Sequence, residues 1–305
     1  MLNSVNCLKR QSRCKIDRCY IMDVRSALNQ AARDLENAGI PSPRLDAEVL
    51  MAFCLGRERL ELYKYPDLIL DERHLVTFRS FVARRKKWEP VAYITGFKDF
   101  WSCRLEVNKS VLIPRPETEI IVEEALNLCR LSAGRKISIL DVGTGSGAIA
   151  IAMAKELSHA RVVATDISAA ALAVAAHNAR QAGLAGKIDF REGNLFEPVD
   201  GFFDIIISNP PYIAAEEYAQ LPAGVRDFEP REALLAGPRG TEFYELLINQ
   251  AIEYLPQAGW LLLEIGATQE AAVSGKLKAA GRYDEISHRA DYAGYPRVIR
   301  ARRKS

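Results

Sequence analysis

The sequence predicts an α/β protein, a doubly wound sheet preceded by a small helical bundle. Three observations predict it. From residue 137 onward, short apolar runs rich in β-branched residues alternate with helical periodicity. The first of these strands runs into a glycine-rich turn that opens a helix, Gly143-Thr144-Gly145-Ser146-Gly147. Residues 22–90 carry helical spacing only, punctuated by short turns.

Composition narrows the class. A chain of 305 residues has room for two domains. Its net charge of +2 gives no global basic field of the kind that gathers nucleic acid. No apolar run approaches the roughly 18–20 residues of a membrane span. The six cysteines form no Cys-x-x-Cys pair, and a chain of this size needs no disulfide staples, so a reducing, cytoplasmic setting is expected.

Residues 1–21 differ from the rest: Lys9, Arg10, Arg13, Lys15 and Arg18 face a single acid, Asp17. With no apolar run behind the charges this is not a secretory signal. It reads as a disordered arm or as translated sequence upstream of a start at Met22, in preference to a mitochondrial presequence. The spacing of Cys7, Cys14 and Cys19 matches no common zinc pattern, and no metal site is expected.

The bundle, residues 22–90, begins with a helix marked by Val24, Ala27, Leu28, Ala31, Ala32 and Leu35, ended by Gly39, Pro41 and Pro43. A second helix spans 46–55 and closes at Gly56; a third element lies at 57–65. Asp71 caps a fourth helix that runs to about Lys87, where Arg84-Arg85-Lys86-Lys87 reads as a solvated helix end. Residues 91–113, aromatic and alternating, read as a β-hairpin linker to the second domain, 114–305. The run Ile113-Pro114-Arg115-Pro116-Glu117-Thr118-Glu119 is held extended by its prolines and opens a helix, 120–130. Arg115 and Glu117 are candidate site-lining residues, although a plain linker and helix cap read the same way. Strands follow at 137–140, 161–165, 187–191, 203–208 and 259–265, with helices at 148–157, 168–182, 244–255 and 268–280. A final β pair is expected at 286–289 and 297–300.

Two stretches carry chemistry. The glycines at 143, 145 and 147 let a ligand approach the main chain, with a helix N-terminus behind them. Asp166 ends the second strand, where a ribose-binding carboxylate would sit; a helix cap before Ser168 is the plainer alternative. Asn194 and Leu195, after the third strand, stand where an adenine amine and ring face could be met. This end alone does not separate a nicotinamide cofactor from S-adenosyl-L-methionine. The second stretch is Ser208-Asn209-Pro210-Pro211-Tyr212. Two prolines cannot continue a central strand, so the chain leaves the sheet at Asn209, at the strand's carboxyl end. The Asn209 side-chain oxygen and the Pro210 carbonyl offer two acceptors for one NH2 group, and Tyr212 adds a flat ring. A proline-rich turn without function is the plainer reading.

Together, the glycine loop, the acid after strand two and Asn-Pro-Pro-Tyr after strand four resemble the Rossmann-like class I methyltransferases, which use S-adenosyl-L-methionine. The helical first domain, Gly96-Phe97 with Phe100-Trp101, the Pro114–Glu119 run and Asn-Pro-Pro-Tyr-Ile look like the release factor glutamine methyltransferase family, the PrmC/HemK group. The resemblance covers about residues 22–305. It implies N5-methylation of the glutamine in the Gly-Gly-Gln motif of peptide chain release factors 1 and 2. It implies a monomer that needs neither nucleic acid nor membrane. In it Asn209, Pro210 and Tyr212 would be catalytic. Gly143, Thr144, Gly145, Ser146, Gly147, Asp166, Asn194, Leu195 and Asn209 would hold the cofactor. Asn209, Pro210, Pro211 and Tyr212 would meet the substrate, with Phe97, Phe100, Arg115 and Glu117 around it. Leu195 departs from the aromatic that some relatives carry. A ribosomal-protein glutamine, the amino groups of DNA or RNA bases, and a non-catalytic or oxidoreductase domain on the same loop remain alternatives.

Overall fold

The computed structural model describes residues 22–130 and 136–305. The expectations placed on residues 1–21 lie outside the described residues. The chain divides into two compact units, one ending at Lys87 and one running from Trp88 to Ser305.

The first unit is helical. Asp23 caps the helix Val24–Asn37 by accepting the Ser26 N–H at 2.7 Å, and Asp71 caps Glu72–Arg85 through the His74 N–H at 2.7 Å. The second helix, Pro43–Leu55, starts earlier than periodicity indicates because Pro43 suits the first helical turn, and it stops at Gly56 in the left-handed region. Leu28, Leu35, Leu50, Met51 and Phe78 fill its core. The basic helix end is only half solvated. Lys86 and Lys87 are exposed, but Arg85 turns inward to Asp46 at 2.7 Å.

The second unit is built on a seven-stranded sheet of β1 (Ser138–Val142), β2 (Arg161–Asp166), β3 (Ile188–Glu192), β4 (Ile205–Ser208), β5 (Trp260–Glu264), β6 (Tyr283–Ala290) and β7 (Pro296–Arg303). The strand order is β6-β7-β5-β4-β1-β2-β3. The first five strands pair in parallel, and β7 runs antiparallel between β5 and β6. Central strands carry near-continuous apolar runs because both faces are covered. Ile139, Ile205 and Ile207 point to one helical layer; Leu140, Ile206, Leu261 and Leu263 point to the other.

Two segments depart from expectation. Val91–Thr95, read as hairpin, forms a short helix that ends at Gly96 with φ 84°. The Thr95 hydroxyl donates back to the Val91 carbonyl at 3.0 Å, which suits a β-branched residue to that turn. The hairpin itself is confined to Phe97–Phe100 and Cys103–Glu106. It belongs to the second unit: Phe100 and Leu105 lie in the core there, and the buried Asn178 amide clasps Glu106 by both its N–H and its carbonyl, at 2.7 and 3.0 Å. The stretch after Tyr212, for which no element was expected, contains a short parallel pair, Ile213–Ala214 with Leu235–Gly237.

Candidate active site

The strand order reverses between β1 and β4, which leaves a crevice at the carboxyl ends of these strands. The crevice holds a cavity of about 570 Å³, lined by residues from the ends of β1, β2, β3 and β4 and from the segments 110–118 and 230–243. Ligand-sized cavities of open α/β sheets form at this place.

The glycine turn after β1 makes one wall. The Gly143 and Thr144 N–H groups donate to the Thr165 carbonyl, both at 2.9 Å, and fasten the turn to the end of β2. Asn178 holds the turn from behind by donating to the Ser146 carbonyl at 2.9 Å. Asp166 accepts the Gly145 N–H on Oδ2 at 2.8 Å and the Ser168 N–H on Oδ1 at 2.9 Å. An ionised carboxylate keeps acceptor capacity beyond two such bonds. The helix Ala169–Gln181 is capped by Ser168, not by Asp166, so Asp166 stays available at the cavity wall.

Gly147, expected to hold the cofactor, stands outside the lining. Its φ is 83°, and an added Cβ would meet Ala175 Cβ and Ile151 Cδ1 at 3.1 Å. Its work is close packing of two helices. Gly147→Ala is expected to destabilise the fold by about 1–3 kcal/mol through left-handed strain alone, read as a lower denaturant midpoint.

Asp141, 1% exposed, anchors the turn from below. Its Oδ2 accepts the Thr144 hydroxyl at 2.6 Å and the Ala150 N–H at 3.2 Å, while Oδ1 is buried without a partner. Burial pushes this carboxyl up to about 7, the bonds from Thr144 and Ala150 offset part of the rise, and the Asp166 charge adds to it. The unfolded chain ionises near the ordinary 3.8, so between there and about 7 the folded protein holds a proton that the unfolded chain has lost. The stability contribution of this group is therefore full at low pH and is lost as pH rises through that window. Asp141→Asn is expected to flatten part of the fall in melting temperature across it; parallel curves for the two proteins would contradict the assignment.

Asn209, Pro210 and Pro211, at the end of β4 beside β1, also line the cavity, as do Asn194, Leu195 and Arg115. The Asn209 NH2 donates to Thr118 Oγ1 at 3.3 Å, which turns its Oδ1 the other way. Arg115 is paired with the buried Glu229, which also accepts the Ile113 N–H at 3.1 Å. Leu195 adopts φ 50°, and its carbonyl accepts the Thr165 hydroxyl at 3.1 Å.

Four further expected residues lie outside the lining. Phe100 is 2% exposed in the core beside Leu105, Ile120 and Ile121. The Phe97 ring is covered by the Arg104 guanidinium at 4.1 Å. Glu117 is not at the wall; its neighbour Thr118 is. Tyr212 packs against the second core, and burial pushes its hydroxyl up to about 12, with the Glu264 charge adding and Arg297 offsetting. An aromatic ring bound for a core and one bound for a pocket look alike in sequence. Residues missed at that stage include Thr118 and, from the stretch after Tyr212, Pro230, Glu232 and Phe243. That stretch has no periodicity to announce it.

Comparisons with known proteins agree with this architecture. Residues 26–96 match the PrmC N-terminal domain, and residues 123–223 match the methyltransferase small domain. A solved methyltransferase from Pyrococcus furiosus shares the fold at a TM-score of 0.50 and 17% identity, over 67% of this chain and 91% of that one. The release factor glutamine methyltransferase of Rhodopirellula baltica is 42% identical over 265 residues, 86% of this chain and 90% of that protein. That of Geobacter sulfurreducens is 41% identical over 92% of this chain and 97% of its own length. With sequence, fold and cavity in agreement, the chain belongs to the release factor glutamine methyltransferase family.

Proposed function

We propose that the protein methylates the side-chain N5 of the glutamine in the Gly-Gly-Gln motif of release factors 1 and 2, with S-adenosyl-L-methionine as methyl donor. The observation that supports this most is the position of Asn209. It lines the same cavity as the glycine turn and Asp166, with its NH2 group committed to Thr118.

The residues present fit the donor. The Gly143–Ser146 main chain is open to the cavity, Asp166 presents a carboxylate with spare acceptor capacity to a ribose, and Asn194 and Leu195 flank the place of an adenine. When bound, this molecule supplies an electrophilic methyl group on a sulfonium. An amide nitrogen is a poor nucleophile, because its lone pair is delocalised into the carbonyl. Asn209 Oδ1 and the Pro210 carbonyl accept the two N–H hydrogens of the substrate amide at about 2.9 Å. The contacts fix the nitrogen's orientation and favour the positive charge that develops on it. Pro211 stiffens this backbone, so the acceptors need little reorganisation.

A panel assay tests the reading. Labelled donor is incubated with purified release factor, large-subunit ribosomal protein, DNA or RNA. Label on the release factor is expected; label on nucleic acid alone would replace this reading with a base-methylating one.

A further inference from the structure

We propose that Gln269 is a positioning residue for the methyl transfer: its side-chain amide ties the Tyr212 end of Asn209-Pro210-Pro211-Tyr212 to Gly240 and so fixes where the Pro210 carbonyl stands. This rests on the reading of Asn209 and Pro210 given above.

β5 ends at Glu264, and a tight turn carries the chain into the helix Glu270–Ala280. The Gln269 N–H donates to the Gly266 carbonyl at 2.9 Å, and the Gly266 N–H donates back to Gln269 Oε1 at 3.0 Å. The Tyr244 hydroxyl shares its one hydrogen between Oε1 and the Glu264 carbonyl, both at 3.1 Å. On the other side of the amide, Nε2 donates to the Tyr212 carbonyl at 2.9 Å and to the Gly240 carbonyl at 3.2 Å.

These partners set the direction of the amide. A carbonyl only accepts and a backbone N–H only donates, so the NH2 group faces Tyr212 and Gly240 while the oxygen faces Gly266. Turning the amide over would set its oxygen against two carbonyls and its NH2 against an N–H.

Tyr212 and Gly240 are the two ends of an excursion, residues 213–239, that supplies Pro230, Glu232, Ala233 and Leu235 to the cavity lining. The two legs of the excursion run together from the start. Ile213 N–H donates to the Leu234 carbonyl at 2.9 Å, and Ile213–Ala214 pairs with Leu235–Gly237. Gln269 holds both ends on one side chain. The approach at this neck is close: Gly240 has φ 75°, and an added Cβ would stand 2.8 Å from the Tyr212 carbonyl oxygen and 3.1 Å from the Ala214 nitrogen.

The clasp reaches the chemistry through two prolines. Pro210 and Pro211 have fixed φ, and a residue that precedes proline is held extended. Little freedom is left between the Pro210 and Tyr212 carbonyls. At the near end Ser208 is paired with β1 and β5, and the Asn209 NH2 is bonded to Thr118. The corner is thus a stiff segment pinned at both ends, by the sheet and Thr118 at one and by Gln269 at the other. Freeing the Tyr212 end lets the Pro210 carbonyl drift from the substrate N–H. A misplacement of about 1 Å at a reacting centre costs up to about 10²-fold in rate. The donor's cradle follows β1 and β2 and is fastened by other bonds.

The test is steady-state kinetics with release factor, together with donor binding by calorimetry. Gln269→Met, which keeps the length and removes these bonds, is expected to lower kcat about 10- to 100-fold. Donor affinity, and a stoichiometry of one donor per chain, should not change. Gly240→Ala leaves Gln269 in place, pushes against the Tyr212 carbonyl and should lower kcat similarly. Tyr244→Phe removes only the hydroxyl on the oxygen side; it should lower the melting temperature and leave kcat as it is. Should Gln269→Met fail to fold, Gln269→Glu, which keeps an oxygen for Gly266 and sets the other against the two carbonyls, carries the same expectation. Wild-type kcat in the Gln269 variant or in Gly240→Ala would overturn the proposal. So would a donor stoichiometry that falls in step with kcat, or a kcat that simply follows melting temperature across the variants, since either marks a merely structural role. If Asn209→Ala keeps full turnover, the underlying reading has failed; if Asn209→Ala loses turnover and the Gln269 variant does not, only this inference has.

Discussion

Asn209→Ala is expected to lower turnover by about 10²-fold or more while donor affinity stays within a few-fold. The magnitude is that of removing one oriented polar contact to charge that develops in a transition state. The separation of the two effects follows from position. Asn209 lies at the end of β4, where the substrate amide is placed, while the glycine turn and Asp166 follow β1 and β2 in the same cavity. Its truncation removes an acceptor for the substrate amide and leaves the donor's cradle intact. The Pro210 carbonyl remains, so the amide would still bind, but with one N–H unpaired and its plane free to turn. Single-turnover kinetics with saturating donor measure this directly. Unchanged turnover would remove Asn209 from the chemistry.

Asp166→Ala should act on the other half of the site. Hydrogen bonds to a charged group contribute about 1.5–3 kcal/mol, so donor affinity is expected to fall roughly 10- to 100-fold. Asp166 also accepts the Gly145 and Ser168 N–H groups, so its loss would loosen the turn as well. Asp166→Asn separates the two contributions. Its remaining oxygen can still hold one of those N–H groups, while the carboxylate for ribose is gone. Calorimetric titration of both variants should show weaker binding in each. Unaltered affinity would take Asp166 out of the donor site.

Much of this architecture was legible in the chain. Apolar β-branched runs followed by helical spacing gave the alternation of strand and helix, because strands covered on both faces must be apolar along their whole length. The two ends of the cavity were legible for a related reason. A turn such as Gly143–Gly145 and a strand exit such as Asn209-Pro210-Pro211 use residues whose backbone constraints show in their identity. What was not legible depended on distance or on context. Thr118 meets Asn209 across 91 positions. By itself it does not differ from a helix-opening threonine. Phe100 was read as a pocket aromatic, yet its ring lies in a core, and Tyr212 is partly buried against the second core. Gly147 belongs by spacing to the ligand turn and by contact to helix packing.

The most direct test of the central claim is the location of the methyl group on the substrate. Purified release factor is incubated with the enzyme and S-adenosyl-L-methionine, then digested and sequenced by tandem mass spectrometry. A release factor whose Gly-Gly-Gln glutamine is replaced by glutamate serves as the control. One methyl group on the side chain of that glutamine, and none on the control, is the expected result. A methyl group at another residue, or equal methylation of the control, would contradict the account.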